Sequence, residues 1–193
     1  LRRPAPSADE LREVAADIDG EVVRLNRVVN DVLDFARPIA FELAPADVNA
    51  LCRESALAAQ AGPGVPVALE LDPAAGAVPT DIERLRAALV NLLVNARHAV
   101  DGCQTQRVTL TTRRERDTVI INVTDTGVGI DRADLPRIFD PFFTTKRGGT
   151  GLGLPITRNI IEGLGGTIVV SSEPGRGTDI RITLTSASLS GPD

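Results

Sequence analysis

The segment from Asp81 to Val100 puts different chemistry on opposite sides of one predicted helix. At 100° per residue, apolar side chains fill one arc, while Asn91, Asn95 and His98 share a narrow arc opposite. Such a helix must pack on one side and stay open to polar partners on the other. The apolar arc consists of Ile82, Leu85, Leu89, Leu92, Ala96 and Ala99.

The polar arc suits an ion and a phosphorylated ligand. Asn is a poor helix former because its side chain competes for backbone hydrogen bonds, so two Asn one turn apart indicate that their amides are needed. An amide oxygen suits a hard cation such as Mg²⁺, and a nearby His can donate a hydrogen bond to a phosphate. The alternative is a solvated face, on which Glu, Lys or Gln would be expected.

A second candidate lies where a predicted strand, 118–124, runs into Asp125 and then into Gly127 and Gly129. A carboxylate at a strand end can accept a hydrogen bond from a single exocyclic amine. Glycines beside it would let a planar ring approach the backbone closely. The alternative is an ordinary Asp-Thr-Gly turn.

A third candidate is the run Gly148-Gly149-Thr150-Gly151-Leu152-Gly153-Leu154, which opens the next predicted helix. The free N–H groups and positive dipole end of that helix form an anion site. The run is not a dinucleotide-binding fingerprint, because Leu154 and Ile156 stand where Gly would be required. The chain also lacks the Gly-Lys-Ser/Thr of a P-loop.

The segment Ile138 to Lys146 lies just upstream and contains three Phe and a terminal Lys. One interpretation is a loop that plugs the core. The following glycines favour a mobile lid instead, with the Phe residues as anchors and Lys146 reaching a phosphate.

Apolar residues also recur at spacings of three and four from Leu11 to Ala36. The pattern predicts a helix over 8–36, of about seven or eight turns, that Pro38 stops. This helix either packs on its own domain or forms a seam with helices of a partner chain. Its length favours the seam, because it would overhang a domain of about 150 residues.

The remaining pattern predicts an α+β sandwich with helices on one face of a mixed sheet. Strands are expected at 41–48, 65–71, 107–113, 118–124, 167–172 and 178–185, and helices at 49–61, 81–100 and 152–164.

Composition narrows the class of protein. The 193 residues are 42% hydrophobic and 24% charged, enough for a sizeable core. A net charge of −5 and the lack of Trp and Tyr argue against nucleic-acid binding. With only Cys52 and Cys103, neither a disulfide scaffold nor a Cys zinc site is expected.

The expected location is cytoplasmic. No run approaches the roughly 18 apolar residues of a membrane span, and Leu1 to Glu10 is too polar for a signal peptide. We therefore expect no membrane contact by this fragment, whether or not its parent is membrane-anchored. The chain contains no Met, from which we expect a piece of a longer protein.

Taken in order, these motifs resemble the boxes of sensor histidine kinases. Asn91-Leu-Leu-Val-Asn95-Ala is similar to the N box, Asp125-Thr-Gly-Val-Gly to the G1 box, Phe139 to Lys146 to the F box, Gly149-Thr-Gly-Leu-Gly-Leu to the G2 box and Gly175-Arg-Gly-Thr178 to the last glycine box. The sequence Phe-Phe-Thr-Thr-Lys is most similar to that of sensor kinases of the nitrogen-regulatory type.

The resemblance implies a Bergerat-type ATP-binding fold shared with DNA gyrase, the MutL mismatch-repair protein and Hsp90. This is a two-layer α/β sandwich, here preceded by a long dimerisation-type helix. It also implies that Asp125 binds the adenine amine and that Asn95 coordinates Mg²⁺ through the phosphates. The implied catalytic residues are Asn91, Asn95, His98 and Lys146. The implied nucleotide-binding residues are Asn95, Asp125, Gly127, Gly129, Ile130, Phe142, Thr145, Lys146, Gly149, Thr150, Gly151, Leu152, Gly153, Leu154 and Thr178.

The resemblance further implies a division of the chain. Residues 1–38 would be the second helix of the dimerisation and phosphotransfer domain, 39–187 the catalytic domain and 188–193 a disordered tail. The only His, His98, lies in the N box, so the family's acceptor His on the first dimerisation helix is missing. The implied reaction is transfer of the γ-phosphoryl group of Mg·ATP to a His absent here. A dimer partner would bind helix 8–36, and a response regulator receiver domain would bind the intact protein.

Three alternatives share the ATP fold. A gyrase-type conformational machine would need a catalytic Glu where Asn91 stands. A nucleotide-sensing module would lack a competent lid, yet the segment from Phe139 to Lys146 is intact. A serine kinase acting on an anti-anti-sigma partner would not need the long helix.

Overall fold

The structure of this chain is a computed structural model. It describes residues 40–146, residues 149–185 and part of the N-terminal region. The N-terminal residues described are all helical, as the apolar spacing predicts. They are Arg12, Val14, Ala15, Ile18, Asp19, Gly20, Val22, Leu25, Asn26, Val29 and Leu33. The other residues of 1–38, among them Pro38, and the predicted disordered tail 188–193 lie outside the described residues.

The described domain alternates strands and helices along the chain. Its elements are β1 (Ala44–Asp47), α1 (Val48–Ala59), β2 (Val67–Leu71), β3 (Ala77–Thr80), α2 (Ile82–Ala99), β4 (Val108–Glu115), β5 (Thr118–Asp125), a 3-10 turn (Leu135–Arg137), α3 (Gly153–Gly163), β6 (Thr167–Glu173) and β7 (Gly177–Thr185).

The main sheet has five strands in the order β2-β4-β5-β7-β6. The pair β2 and β4 is parallel, and the other pairs are antiparallel. Strands β1 and β3 form a separate antiparallel pair. The expectation of a mixed sheet with helices on one face is therefore confirmed.

The core lies between the sheet and the helices. Residues Val119, Ile121 and Val123 alternate along β5 toward the core, as a half-buried strand requires. From α2, Leu85 and Leu89 fill the facing layer and are fully buried. Ile82 departs from its predicted arc and is 41% exposed, because it lies at the first helical position.

The start of the domain differs from the predicted strand over 41–48. The carboxylate of Asp47 accepts hydrogen bonds from the N–H groups of Asn49 and Ala50, so it caps α1 and the strand ends there. Phe41 lies outside the strand and packs against the core beside Gly163.

Strand β3 was not predicted. It has only four residues and contains Pro79, which weakens its strand signal. Its pairing with β1 brings together residues far apart in the chain, as Ala44 opposite Thr80 shows.

Across the part of the chain that the structure describes, no helix has both the length and the apolarity to cross a bilayer.

Candidate active site

Asp125 is the last residue of β5 and lies opposite Thr178 of β7. Its side chain is 7% exposed, and Oδ1 accepts a hydrogen bond from the Gly127 N–H at 2.8 Å. Desolvation raises the pKa of Asp125, while backbone hydrogen bonds from Gly127 and Thr178 and the charge of Lys146 act in the opposite direction. A carboxylate has about four acceptor positions, so capacity remains for a ligand donor.

The two glycines after Asp125 are required by the packing of the protein backbone. A Cβ on Gly127 would lie 2.4 Å from the carbonyl oxygen of Ala99 at the end of α2. Gly129 has φ +70°, and a Cβ there would lie 2.2 Å from the carbonyl oxygen of Glu173. This packing accounts for both glycines without the ring approach predicted from the sequence.

On α2, the structure brings Asn91 and Asn95 together and leaves His98 exposed one turn further on. The Nδ2 group of Asn91 donates to Thr157 Oγ1 of α3 at 2.9 Å. The Nδ2 group of Asn95 lies 3.5 Å from Asn91 Oδ1, at the limit of a hydrogen bond. The polar arc therefore has a partly buried end near α3 and an exposed end at His98.

Lys146 reaches α2 from the segment that follows the 3-10 turn. Its Nζ lies 3.4 Å from Asn95 Oδ1 and 3.5 Å from the Asn95 carbonyl oxygen. Although the residue as a whole is exposed, desolvation by the surrounding protein lowers the pKa of Lys146, and the charge of Asp125 raises it. Lys146 is thus electrostatically coupled to Asp125 and in contact with Asn95.

Two of the three Phe in this segment are anchored. The guanidinium of Arg158 lies 5.3 Å from the ring centroid of Phe139, and that of Arg137 lies 4.4 Å from the centroid of Phe143. Phe142 is 66% exposed, so the expectation that every Phe anchors the segment is wrong for this residue.

The glycine-rich loop leads directly into α3. The Phe142 N–H donates to the Gly151 carbonyl at 3.0 Å and closes the base of the loop. The cap residue Leu152 is fully buried and makes no side-chain capping hydrogen bond. Thr150 Oγ1 accepts a hydrogen bond from the Leu152 N–H at 3.4 Å, while the N–H groups of Gly153 and Leu154 in the first turn keep their capacity to bind an anion.

The remaining predicted residues lie around these groups. Thr178 is buried and, with Asp125, borders a shallow cleft of about 340 Å³ that Asn95 and Lys146 do not line. Ile130 is half-buried, and its N–H donates to Ser172 Oγ at 2.8 Å. Thr145 and Gly149 are exposed, while Thr150, Gly153 and Leu154 are half-buried near the start of α3.

Two hydroxyl residues that organise this region are not predicted by any sequence motif. Ser172 Oγ accepts from Ile130, donates to the Gly177 carbonyl and contacts Thr178 Oγ1 at 3.0 Å. Thr157 accepts from Asn91. Neither lies in a recognisable motif, so only their spatial neighbours identify them.

Known proteins resemble this chain in sequence and in fold. Residues 80–188 match the family described as histidine kinase-, DNA gyrase B- and HSP90-like ATPase. The sensor histidine kinase ZraS of Escherichia coli (strain K12) is 36% identical over 183 residues, which cover 93% of this chain and 39% of ZraS.

Two solved structures are similar. One is full-length ShkA in complex with AMPPNP, with a TM-score of 0.74 and 28% identity, covering 96% of this chain and 41% of that one. The other is histidine kinase ThkA in complex with the response regulator protein TrrA, with a TM-score of 0.75 and 25% identity, covering 95% of this chain and 53% of that one.

The fold and site define an ATP-binding domain of the Bergerat type. The chain belongs to the histidine kinase-, DNA gyrase B- and HSP90-like ATPase family. It carries the ATP-binding catalytic domain of a sensor histidine kinase and spans about two fifths of the length of its curated relative ZraS.

Proposed function

We propose that this chain transfers the γ-phosphoryl group of Mg·ATP to a histidine on a dimerisation helix outside the chain. Such a transfer needs little covalent chemistry from the protein. Most of the catalysis therefore comes from positioning the reacting groups and neutralising the phosphate charge.

The convergence of Asp125, Asn95 and Lys146 carries this proposal. These residues come from β5, α2 and the loop before α3, and no two are neighbours in sequence. Lys146 contacts Asn95, and its charge acts on Asp125. A base-binding carboxylate, a phosphate-binding cation and an amide oxygen in contact with that cation suit a nucleoside triphosphate.

Asp125 would accept a hydrogen bond from the exocyclic amine of adenine. Lys146, the exposed His98 and the first-turn N–H groups of α3 would bind the phosphates. The remaining nucleotide contacts would come from the segments around these residues. They are Gly127, Gly129, Ile130, Phe142, Thr145, Gly149, Thr150, Gly151, Leu152, Gly153, Leu154 and Thr178.

Asn95 would be the protein's ligand to magnesium. Its Oδ1 already faces a cation, the ammonium of Lys146, and an amide oxygen belongs to the hard donors that Mg²⁺ accepts. Magnesium typically takes few ligands from a protein and the rest from phosphates and water, so one amide fits this site. When bound, the ion would neutralise phosphate charge.

Asn91 would support the site rather than activate water. An amide cannot take up a proton as a carboxylate does, and the Nδ2 group of Asn91 is already bonded to Thr157. This argues against hydrolysis of the gyrase type, in which a Glu would occupy this position.

For the whole chain, we propose that residues 39–187 form the catalytic domain and 1–38 the second dimerisation helix, followed at 188–193 by a tail. Helix 8–36 would bind a second copy. In the intact protein a response regulator would bind and receive the phosphoryl group; the complex of ThkA with the response regulator protein TrrA supports the binding by analogy. The sequence of segment 142–146 supports a kinase of the nitrogen-regulatory type. We place this part of the protein in the cytoplasm.

Calorimetric titration with ATP and GTP tests the base-binding role. A charge-assisted hydrogen bond contributes about 1.5–3 kcal/mol, so Asp125→Asn should weaken ATP at least about tenfold. Asp101→Asn, at an exposed position after α2, should leave binding unchanged. Equal affinity of the native chain for ATP and GTP would overturn the assignment.

Labelling with γ-labelled ATP tests the reaction. Incubation with a separately produced acceptor-helix domain should label that domain and not this chain, because His98 is proposed as a phosphate-binding group. Acid-labile label on this chain alone would contradict the proposal.

A further inference from the structure

Thr157 is a buried hydroxyl residue on the face of α3 that meets α2. Its side chain is 1% exposed, and its neighbours Ile160 and Ile161 belong to the hydrophobic core. A buried hydroxyl among apolar residues costs stability unless it is hydrogen-bonded. Here its partner is the Nδ2 group of Asn91, 2.9 Å away.

From Thr157 the contacts continue through two amides. Asn91 uses its amino group toward Thr157, so its oxygen faces Asn95, whose Nδ2 lies 3.5 Å away. Asn95 then presents its own oxygen to Lys146 Nζ at 3.4 Å. An amide donates through nitrogen and accepts through oxygen, so the orientation of each amide depends on the one before it.

Gly153 packs against the amide of Asn91, which lies between Thr157 and Asn95 in this series of contacts. A Cβ at position 153 would lie 2.6 Å from Asn91 Oδ1 and 3.0 Å from its Nδ2. The amide of Asn91 is therefore held between the first residue of α3 and the hydroxyl of Thr157. A change in either of these contacts would reorient the amide of Asn91. The amide of Asn95, which contacts it, would then move as well.

We propose that Thr157 is a positioning residue that acts through Asn91 to hold the Asn95 amide with its oxygen toward the phosphates. This inference rests on the role proposed above for Asn95 as a magnesium ligand. Without the hydroxyl, the amino group of the half-buried Asn91 loses its acceptor. Its amide then has no fixed orientation, and neither does that of Asn95.

Thr157→Val keeps the shape of the side chain and removes the hydroxyl, while Thr157→Ser keeps the hydroxyl. The magnesium dependence of ATP binding is measured by titrating ATP with Mg²⁺ and with a chelator. Loss of one hydrogen bond should weaken ATP with magnesium about three- to tenfold in the Val variant. Binding without magnesium should change little, and Thr157→Ser should restore the native dependence.

A matched control comes from a second buried Thr and Asn pair. Thr112 is 5% exposed and donates to Asn49 Oδ1 at 2.7 Å, on the side of the sheet covered by α1. Thr112→Val removes this hydrogen bond, together with the one that Thr112 Oγ1 accepts from the Asp72 N–H at 3.0 Å, and should leave the magnesium dependence unchanged. An equal effect of both variants would show that general destabilisation is responsible and would overturn the proposal.

Nuclear magnetic resonance of the side-chain amides gives a readout without nucleotide. Thr157→Val should shift the NH₂ signals of Asn91 and Asn95, and Thr157→Ser should return them. If Thr157→Val does not fold, Gly153→Ala displaces the same amide by its Cβ and is expected to produce the same shifts. Unshifted signals would overturn the proposal.

The two proposals fail in different ways. If native chain binds ATP equally well with and without magnesium, the role of Asn95 as a ligand is wrong, whatever the amide signals show. If magnesium tightens binding in the native chain and equally in Thr157→Val, the role of Thr157 is wrong and that of Asn95 stands.

Discussion

At the scale of single residues, Asp125 shows how burial and function oppose each other. Its carboxylate is nearly inaccessible, and desolvation raises its pKa more than the hydrogen bonds of Gly127 and Thr178 lower it. The domain therefore holds this carboxyl group in a place that favours its neutral form. A ligand donor at this oxygen would favour the charged form.

This shift predicts a pH dependence of stability. Because the folded-state pKa of Asp125 is raised, the folded domain binds the proton more tightly than the unfolded chain. The free energy of unfolding then falls as pH rises from the ordinary Asp pKa, about 3.9, through the raised value, and it levels off above that.

Urea unfolding of the native chain and Asp125→Asn, between about pH 4 and pH 7, measures this effect. The native chain should lose stability relative to the variant as pH rises. Asp101→Asn is the control, and its curve should run parallel to the native one. Parallel curves for Asp125→Asn as well would contradict the prediction.

Arg97 is a buried cation that serves the fold rather than the site. It is 9% exposed, and its guanidinium donates to the carbonyl oxygens of Ala59, Gly62, Pro63 and Val65. These carbonyls lie at the end of α1 and in the loop to β2, where few backbone partners exist. One side chain thus satisfies four backbone acceptors in this region.

Replacing Arg97 with Met should lower the free energy of unfolding by roughly 3 kcal/mol, because several carbonyls lose a charged donor. Arg97→Lys should lose less, since an ammonium keeps the charge but cannot span the same acceptors. Arg113→Met, at an exposed position on β4, should change stability by under about 0.5 kcal/mol. Equal losses for Arg97→Met and Arg113→Met in urea unfolding would contradict this account.

At the scale of elements, α3 connects two parts of the molecule. Its first residue, Gly153, lies against Asn91 of α2, and Thr157 bonds to the same amide. At its last residue, Gly163, a Cβ would lie 2.3 Å from two ring atoms of Phe41. The helix therefore contacts both the candidate phosphate site and the residues at the start of the domain.

The loop before α3 is expected to respond to nucleotide. Lys146 and the glycine N–H groups gain phosphate partners only when ATP binds, and the glycines carry the largest entropy cost of ordering. Trypsin should therefore cut after Lys146 or Arg147 in the empty protein and more slowly with Mg·ATP. Cleavage after Arg116, in the exposed turn between β4 and β5, is the internal control and should not change. Equal rates at the loop in both states would contradict a lid.

At the scale of the whole molecule, the N-terminal helical residues keep an exposed apolar stripe. Five of its predicted positions are about half exposed, far more than core residues of similar type. Val14 is 54% exposed, Ile18 57%, Val22 49%, Leu25 55% and Val29 54%. An apolar stripe of this kind is typical of a helix that packs against further helices.

This stripe predicts self-association of the chain. Sedimentation should show a concentration-dependent dimer that Leu25→Lys with Val29→Lys abolishes, because charges would then be buried in the seam. Leu57→Lys with Val169→Lys is the control, since both residues are exposed apolar positions outside the stripe. A native chain that stays monomeric at high concentration would contradict the seam.

Much of this molecule could be predicted from the local sequence pattern alone. The two faces of α2, the strand that ends at Asp125 and the glycine-rich start of α3 each follow from periodicity or from turn residues within one segment. Such signals are strong because neighbouring residues alone determine them. The order of these segments was sufficient to identify the ATP-binding class.

The sequence by itself therefore determined the class of fold, the candidate residues and the elements other than β3. Only the tertiary structure decided that β3 pairs with β1, that Arg97 is buried, that Phe142 is exposed and that Thr157 meets Asn91. The pairings among these outcomes join residues far apart in the chain, 66 positions for Thr157 and Asn91, and they leave no periodic trace in the sequence. Burial and hydrogen bonding between distant segments decide them because an unpaired buried polar group is costly.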